Sequence, residues 1–205
     1  MSLNGGSVLA MTGKECVAVA CDTRFGEQYS TLTMNFPRVF RAGKRCLVGL
    51  AGLGTDIQLV SKKIQTDTAL FTLEEHREMQ PRLIANSISS MLYDRRFKGG
   101  YYVEPLVAGL QKEGERYVPY ICGMDSIGAP ATPEDFLCIG TAAGSMLGIC
   151  ESLWQKDLEK EDLFETISQC MLSALDRDAF SGWGCVVYII TKDDITIREL
   201  RSRQD

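Results

Sequence analysis

The sequence predicts an α+β fold, a four-layer α-β-β-α sandwich with mainly antiparallel sheets, and three observations point to it. Strand-like and helix-like stretches come in runs instead of alternating singly, which is not the pattern of a parallel sheet threaded by crossover helices. Strand-like stretches such as Cys16-Val17-Ala18-Val19-Ala20-Cys21 are apolar at nearly every position, so both of their faces are buried. The helical stretches carry a single apolar stripe each, enough to cover one face of a sheet.

Taken in order, the chain opens with a hairpin, Ser7–Thr12 and Cys16–Cys21, turned at Gly13-Lys14-Glu15. Short strands follow at Ser30–Met34 and Val39–Arg41, then a longer apolar run, Arg45–Ala51, which the glycines at 49, 52 and 54 break. Thr55-Asp56-Ile57-Gln58 reads as a capping box, and Ile57, Val60, Ile64 and Phe71 continue at helical spacing. Pro81 suits the first turn of a second helix with the stripe Ile84, Ile88, Met91 and Leu92, ended by Gly99-Gly100. Strands return at Tyr102–Leu110, Tyr117–Cys122 and Phe136–Ile139. A third helix shows Met146, Cys150 and Leu153 on one face; a fourth shows Leu163, Ile167, Cys170 and Ala174 and begins among acidic residues, as the helix dipole favours. Strands Cys185–Ile190 and Ile195–Leu200 complete the pattern around Lys192-Asp193-Asp194. With no Pro/Ser/Gly-rich linker, repeat or low-complexity stretch, residues 1–205 form one domain.

Composition excludes several functions. Lys and Arg number 22 against 27 Asp and Glu, a net charge of −5, which argues against gripping nucleic acid phosphates. The single histidine, His76, lies in the polar run Glu74–Glu78 and reads as a solvated side chain; multi-histidine metal sites are ruled out, and no metal or cofactor is expected. Neither a P-loop nor a GxGxxG element is present. Eight cysteines in 205 residues stay well below the ~8–10% of a disulfide scaffold, contain no CxxC, and sit in apolar runs as small hydrophobes. That usage fits a reducing compartment. Met1–Gly6 lacks the basic and apolar regions of a signal peptide, and no run reaches the ~18 apolar residues of a membrane span, so a soluble intracellular protein is expected.

Four segments in register carry a family resemblance. Gly5–Met11, Cys16–Arg24, Gly49-Leu50-Ala51-Gly52-Leu53-Gly54-Thr55-Asp56 and Asp176-Arg177-Asp178-Ala179-Phe180-Ser181-Gly182-Trp183-Gly184 resemble the proteasome beta subunits, in the family's order and across essentially the whole chain. The resemblance implies the N-terminal-nucleophile hydrolase fold. It further implies a place in the stacked heptameric rings of the 20S core particle with other beta and alpha subunits, around unfolded polypeptide substrates, in the cytoplasm and nucleus, with no nucleic acid or membrane partner.

Active members of that family attack with an N-terminal threonine whose amine helps manage the proton, assisted by a buried lysine. Aligned backwards from Asp22, the threonine's position holds Gly6, which has no nucleophile. The lysine's place holds Arg38, and an arginine guanidinium stays protonated at every accessible pH. Asp22 matches the aspartate that contacts the lysine, Thr141 falls where a serine is usual, and Asp178 and Ser181 match the pair behind the nucleophile. All six positions therefore read as vestigial. Asp22 either supports the site's charge or is a buried carboxylate paired with Arg38 or Arg24; Asp178 and Ser181 read foremost as a helix C-terminal turn, with Ser181 and Gly182 closing the fourth helix. The resemblance also puts Cys122 and Asp125 near a neighbouring subunit's substrate pocket, with an ordinary core cysteine and turn acid as the competing reading.

The expectation is a non-catalytic structural subunit. One alternative is a hydrolase that cuts itself after Gly6 and uses Ser7, although strand alternation turns Ser7 away from the face that Gly6 occupies. Another is a free-standing ligand-binding pseudoenzyme.

Overall fold

The computed structural model describes residues 3–204, so Met1-Ser2, the outermost part of the N-terminal reading, and Asp205 lie outside it. Twelve strands and four helices run in the order β1 (Ser7–Gly13), β2 (Cys16–Asp22), β3 (Phe25–Glu27), β4 (Ser30–Thr33), β5 (Val39–Gly43), β6 (Cys46–Gly52), α1 (Gly54–Glu75), α2 (Pro81–Arg95), β7 (Val103–Glu113), β8 (Arg116–Met124), β9 (Pro130–Ala131), β10 (Phe136–Gly140), α3 (Ala143–Leu153), α4 (Lys160–Leu175), β11 (Cys185–Ile190) and β12 (Ile195–Leu200).

Two five-stranded sheets, ordered β10-β1-β2-β11-β12 and β5-β6-β7-β8-β9, are antiparallel throughout. Period-two alternation splits their side chains between three cores. Along β1, Leu9 and Met11 join Met146, Cys150, Ile167 and Cys170 beneath α3 and α4. Val8 and Ala10, on the opposite face, meet Leu47, Leu106, Ala108 and Ile121 of the other sheet. That second sheet sends Val48, Leu50 and Val107 outward against Ile57, Val60, Ile84 and Ile88 of α1 and α2. The layers are thus helix pair, sheet, sheet, helix pair, as the both-face apolarity of the strands requires. At about 1.5–3 kcal/mol per large aliphatic side chain removed from water, the three cores supply the main drive to fold.

Several local expectations are corrected. The capping box does not form: α1 has Leu53 as its N-cap with no side-chain bond from it, and the Gly54 amide donates instead to Asn4 Oδ1 at 2.9 Å. Phe71 is not part of the buried stripe of α1, where Thr68 takes the last buried place. Leu153 is 39% exposed, which leaves Met146 and Cys150 as the buried face of α3. The strand read at Ser30–Met34 belongs to neither main sheet; it pairs with β3, unforeseen in the sequence, as a separate hairpin. The acidic start of α4 is present, with Glu161 and Asp162 in its first turn.

Every cysteine except the half-buried Cys138 is buried. Burial pushes the Cys16 thiol up to about 11 and the Cys21 thiol up to about 12, and raises Cys46, Cys122 and Cys185 as well. Since the thiolate is the nucleophile, these groups are both shielded and protonated at neutral pH. In an Ellman titration at pH 8 the native chain should release at most one equivalent quickly, and all eight cysteines should react once it is unfolded in denaturant.

Candidate functional site

Gly6, immediately before β1, and Arg38, immediately before β5, meet at a buried point. Gly6 has φ of +109°, a conformation that favours glycine. A Cβ placed there would lie 1.9 Å from Arg38 Cζ, so the guanidinium fills the volume that a side chain on residue 6 would need. Arg38 is wholly buried. Its Nη2 donates to the Arg24 carbonyl, its Cζ sits 5.3 Å from the centre of the Phe36 ring, and its Nε lies 2.9 Å from Asp22 Oδ1. The Nε contact is too poorly aligned to be a hydrogen bond, and Nη1 has no hydrogen-bond partner among the described residues. Charge attraction, more than directed bonding, holds this pair.

Asp22 ends β2 and gathers the surrounding elements. Oδ1 also accepts from the Ser7 amide at 2.9 Å, and Oδ2 accepts from the Gly182 amide at 3.2 Å. Burial pushes the carboxyl above its ordinary range, opposed by the Arg38 charge and by the two backbone N–H groups. Of the two partners left open by the sequence, Arg38 is the one used. Arg24, 2% exposed, donates instead to Thr31 Oγ1 and to the Phe180 and Gln28 carbonyls.

Ser7 follows the alternation. Its Oγ accepts from the Ala142 amide at 2.8 Å, and Ala142 belongs to the core beneath α3 and α4, on the side of β1 away from Arg38. The hydroxyl oxygen is buried and bonded, and the amide is committed to Asp22.

Thr141, Asp178 and Ser181 do come together. Both hydroxyls donate to Asp178 Oδ2, Thr141 at 2.6 Å, while the Phe180 amide donates to Oδ1 at 3.0 Å. The Thr141 amide donates to the Gly6 carbonyl at 3.1 Å and ties the cluster to the Gly6 end of β1. Asp178 takes part in the turn that closes the fourth helix, its amide donating to the carbonyl of Leu175, the last residue of α4, at 3.2 Å, while Ser181 and Gly182 lie farther along the loop leading to β11.

Cys122 and Asp125 part company. The Cys122 side chain is 0% exposed and packs in the core beneath α1 and α2, so it has no surface to offer a neighbour; that expectation is corrected. Asp125 is exposed, with Oδ1 accepting from the Ile127 and Ala129 amides in a tight turn. No group of His, Cys, Asp and Glu among the described residues could hold a metal ion. A groove of about 910 Å³ runs between Thr12–Glu15 and the strand residues 116–122, at the opposite end of β1 from Gly6.

The architecture is that of a known family. The model of the family described as "Proteasome subunit" matches residues 2–190. The chain belongs to the proteasome subunit family. Proteins named proteasome subunit beta type-3 from Dictyostelium discoideum and Drosophila melanogaster are each 48% identical over 205 residues, which is 100% of this chain and 98% of theirs. The Saccharomyces cerevisiae protein of that name is 47% identical over 204 residues, with the same coverage. Sequence reasoning reached the Gly6–Arg38–Asp22 set through this family pattern; it missed Asn4 and the neutral anchoring of Arg24, for which no motif exists.

Removing the Asp22 carboxylate by Asp22→Ala should cost about 3–5 kcal/mol in urea unfolding, because it strands a buried guanidinium. Gly6→Thr should also destabilise the chain by several kcal/mol, roughly the cost of displacing a buried paired charge. In the double variant Gly6→Thr/Arg38→Lys the shorter ammonium side chain leaves room for the new Cβ, and part of the loss should return. A double variant no more stable than Gly6→Thr alone would contradict the steric account.

Proposed function

We propose that the chain is a non-catalytic, structural beta subunit of the 20S proteasome core. Its place is an inner heptameric ring, between two beta neighbours, against an alpha ring and facing the opposite beta ring. There it helps to wall the chamber in which unfolded polypeptides are degraded, in the cytoplasm and nucleus. The observation that carries this reading is the guanidinium of Arg38 standing where a side chain on residue 6 would project. Position 6 supplies no attacking oxygen or sulfur, and the neighbouring cation is a poor proton acceptor. The names of the full-length relatives support the assembly part of the reading.

The Asp22, Thr141, Asp178 and Ser181 contacts serve the fold in this reading, since each polar atom is spent on tying β1, β2 and the loop after α4 together. Exposed Asp125 is the remaining candidate for shaping a neighbour's substrate pocket, where a carboxylate favours basic substrate residues through charge complementarity. Self-processing to a Ser7 nucleophile finds no support in a hydroxyl oxygen that is buried and accepts the Ala142 amide.

Treating the assembled particle with an electrophilic peptide inhibitor and measuring intact subunit masses tests the reading. The expected result is adducts on other subunits, with this chain unlabelled and still carrying Gly6. An adduct on Ser7 of a chain shortened after Gly6, or a free species of 22.7 kDa as the sole form on size exclusion of native extract, would overturn it.

A further inference from the structure

The segment preceding β1 is fastened by contacts that lie outside the Gly6–Arg38–Asp22 point. The Gly26 amide donates to the Asn4 carbonyl at 3.2 Å and the Gln28 amide to the Leu3 carbonyl at 2.7 Å, so residues 3–4 run along β3. The Asn4 side chain then bridges two elements. Nδ2 donates to the Gly26 carbonyl at 2.9 Å, and Oδ1 accepts the Gly54 amide, the first of α1, also at 2.9 Å. Both ends of one amide are used, and Asn4 is only 9% exposed.

The two residues that follow are held just as firmly. Gly5 has φ of +69°, and a Cβ there would lie 1.9 Å from the Phe180 carbonyl oxygen. The Gly6 carbonyl accepts from Thr141 and the Ser7 amide is given to Asp22. Residues 4–8 are all buried. A peptidase needs its substrate extended, with free main-chain groups to pair as an added strand. Here the Leu3, Asn4 and Gly6 carbonyls and the Ser7 amide are already paired, and the consecutive Gly5 and Gly6 have positive φ.

We propose that Asn4 is a clasp that protects the peptide bonds of residues 3–7 from proteolysis. Hydrolysis breaks a C–N bond, adds the hydroxyl of water to the acyl carbon and its hydrogen to the released amine; the clasp acts earlier, by denying the protease a bound, extended segment. The protected stretch covers the Gly6–Arg38 point, so the same clasp keeps water and protein partners from that buried charge pair.

The full chain, in whatever assembly it is purified in, is treated with a broad-specificity serine protease, and the N-terminal segment is followed by intact mass. In the wild type, cleavage within residues 3–7 should be no faster than cleavage of the core strands. In Asn4→Ala it should be at least ten-fold faster than in the wild type, with the core intact. Asn4→Asp keeps the acceptor for Gly54 but loses the donor to Gly26, and should fall between. Equal rates in wild type and Asn4→Ala, or early loss of the segment from the wild type, would overturn the proposal. Should Asn4→Ala fail to fold, amide hydrogen exchange on the wild type decides: slow exchange at Gly26, Gln28 and Gly54 supports the clasp, and exchange at open-loop rates rejects it.

Discussion

Asp22 and Arg38 form an ion pair at which neither side chain has any solvent exposure, and the N-terminal half of the architecture is assembled around it. Bringing two such charges out of water is costly, and the attraction between them repays the cost only when their remaining atoms also find partners. Asp22 does so by accepting from β1 and from the loop before β11; Arg38 does so only in part, with one nitrogen bonded to a carbonyl and another without a partner among the described residues. A pair of this kind adds little net stability but tolerates few arrangements. It therefore fixes how β1, β2, the approach to β5 and the loop after α4 stand with respect to each other.

Three cores flank this charged point, and the way the strands divide their side chains among them explains why one residue of register matters so much. Moving from Gly6 to Ser7 crosses from the face that meets Arg38 to the face that meets α3. The hydroxyl and the cation are thus kept apart by the pleat of a single strand. A chemistry that needs both could not be restored by shifting the start of the chain by one position.

The layered fold was legible in the sequence because its signals are local: apolar runs too short for helices, turns such as Gly13-Lys14-Glu15, and stripes such as Ile84, Ile88 and Leu92. The β3–β4 hairpin was half hidden, since Phe25–Glu27 is three residues long and carries no alternation. The start of α1 was misread because Thr55 and Gln58 satisfy a local capping pattern while the acceptor actually used comes from Asn4. The vestigial site could be located only by family pattern; Gly6, Asp22 and Arg38 lie up to 32 residues apart with no spacing rule that joins them. That the guanidinium fills the place of the missing side chain is a matter of three-dimensional volume and could not be read from residue types. Cys122 shows the converse, because the same strand pattern that placed it in β8 also turned it inward.

The cap on α1 has a bearing on the order in which the molecule is made. The amide that Asn4 must receive lies 50 positions later in the chain, and its other partner belongs to a hairpin that is itself incomplete until Thr33 has been added. Contacts of such separation form late because the loop between them must first be closed. The segment around Asn4 and the opening of the first long helix consequently become native together, once the intervening β3–β4 hairpin and β5–β6 are in place.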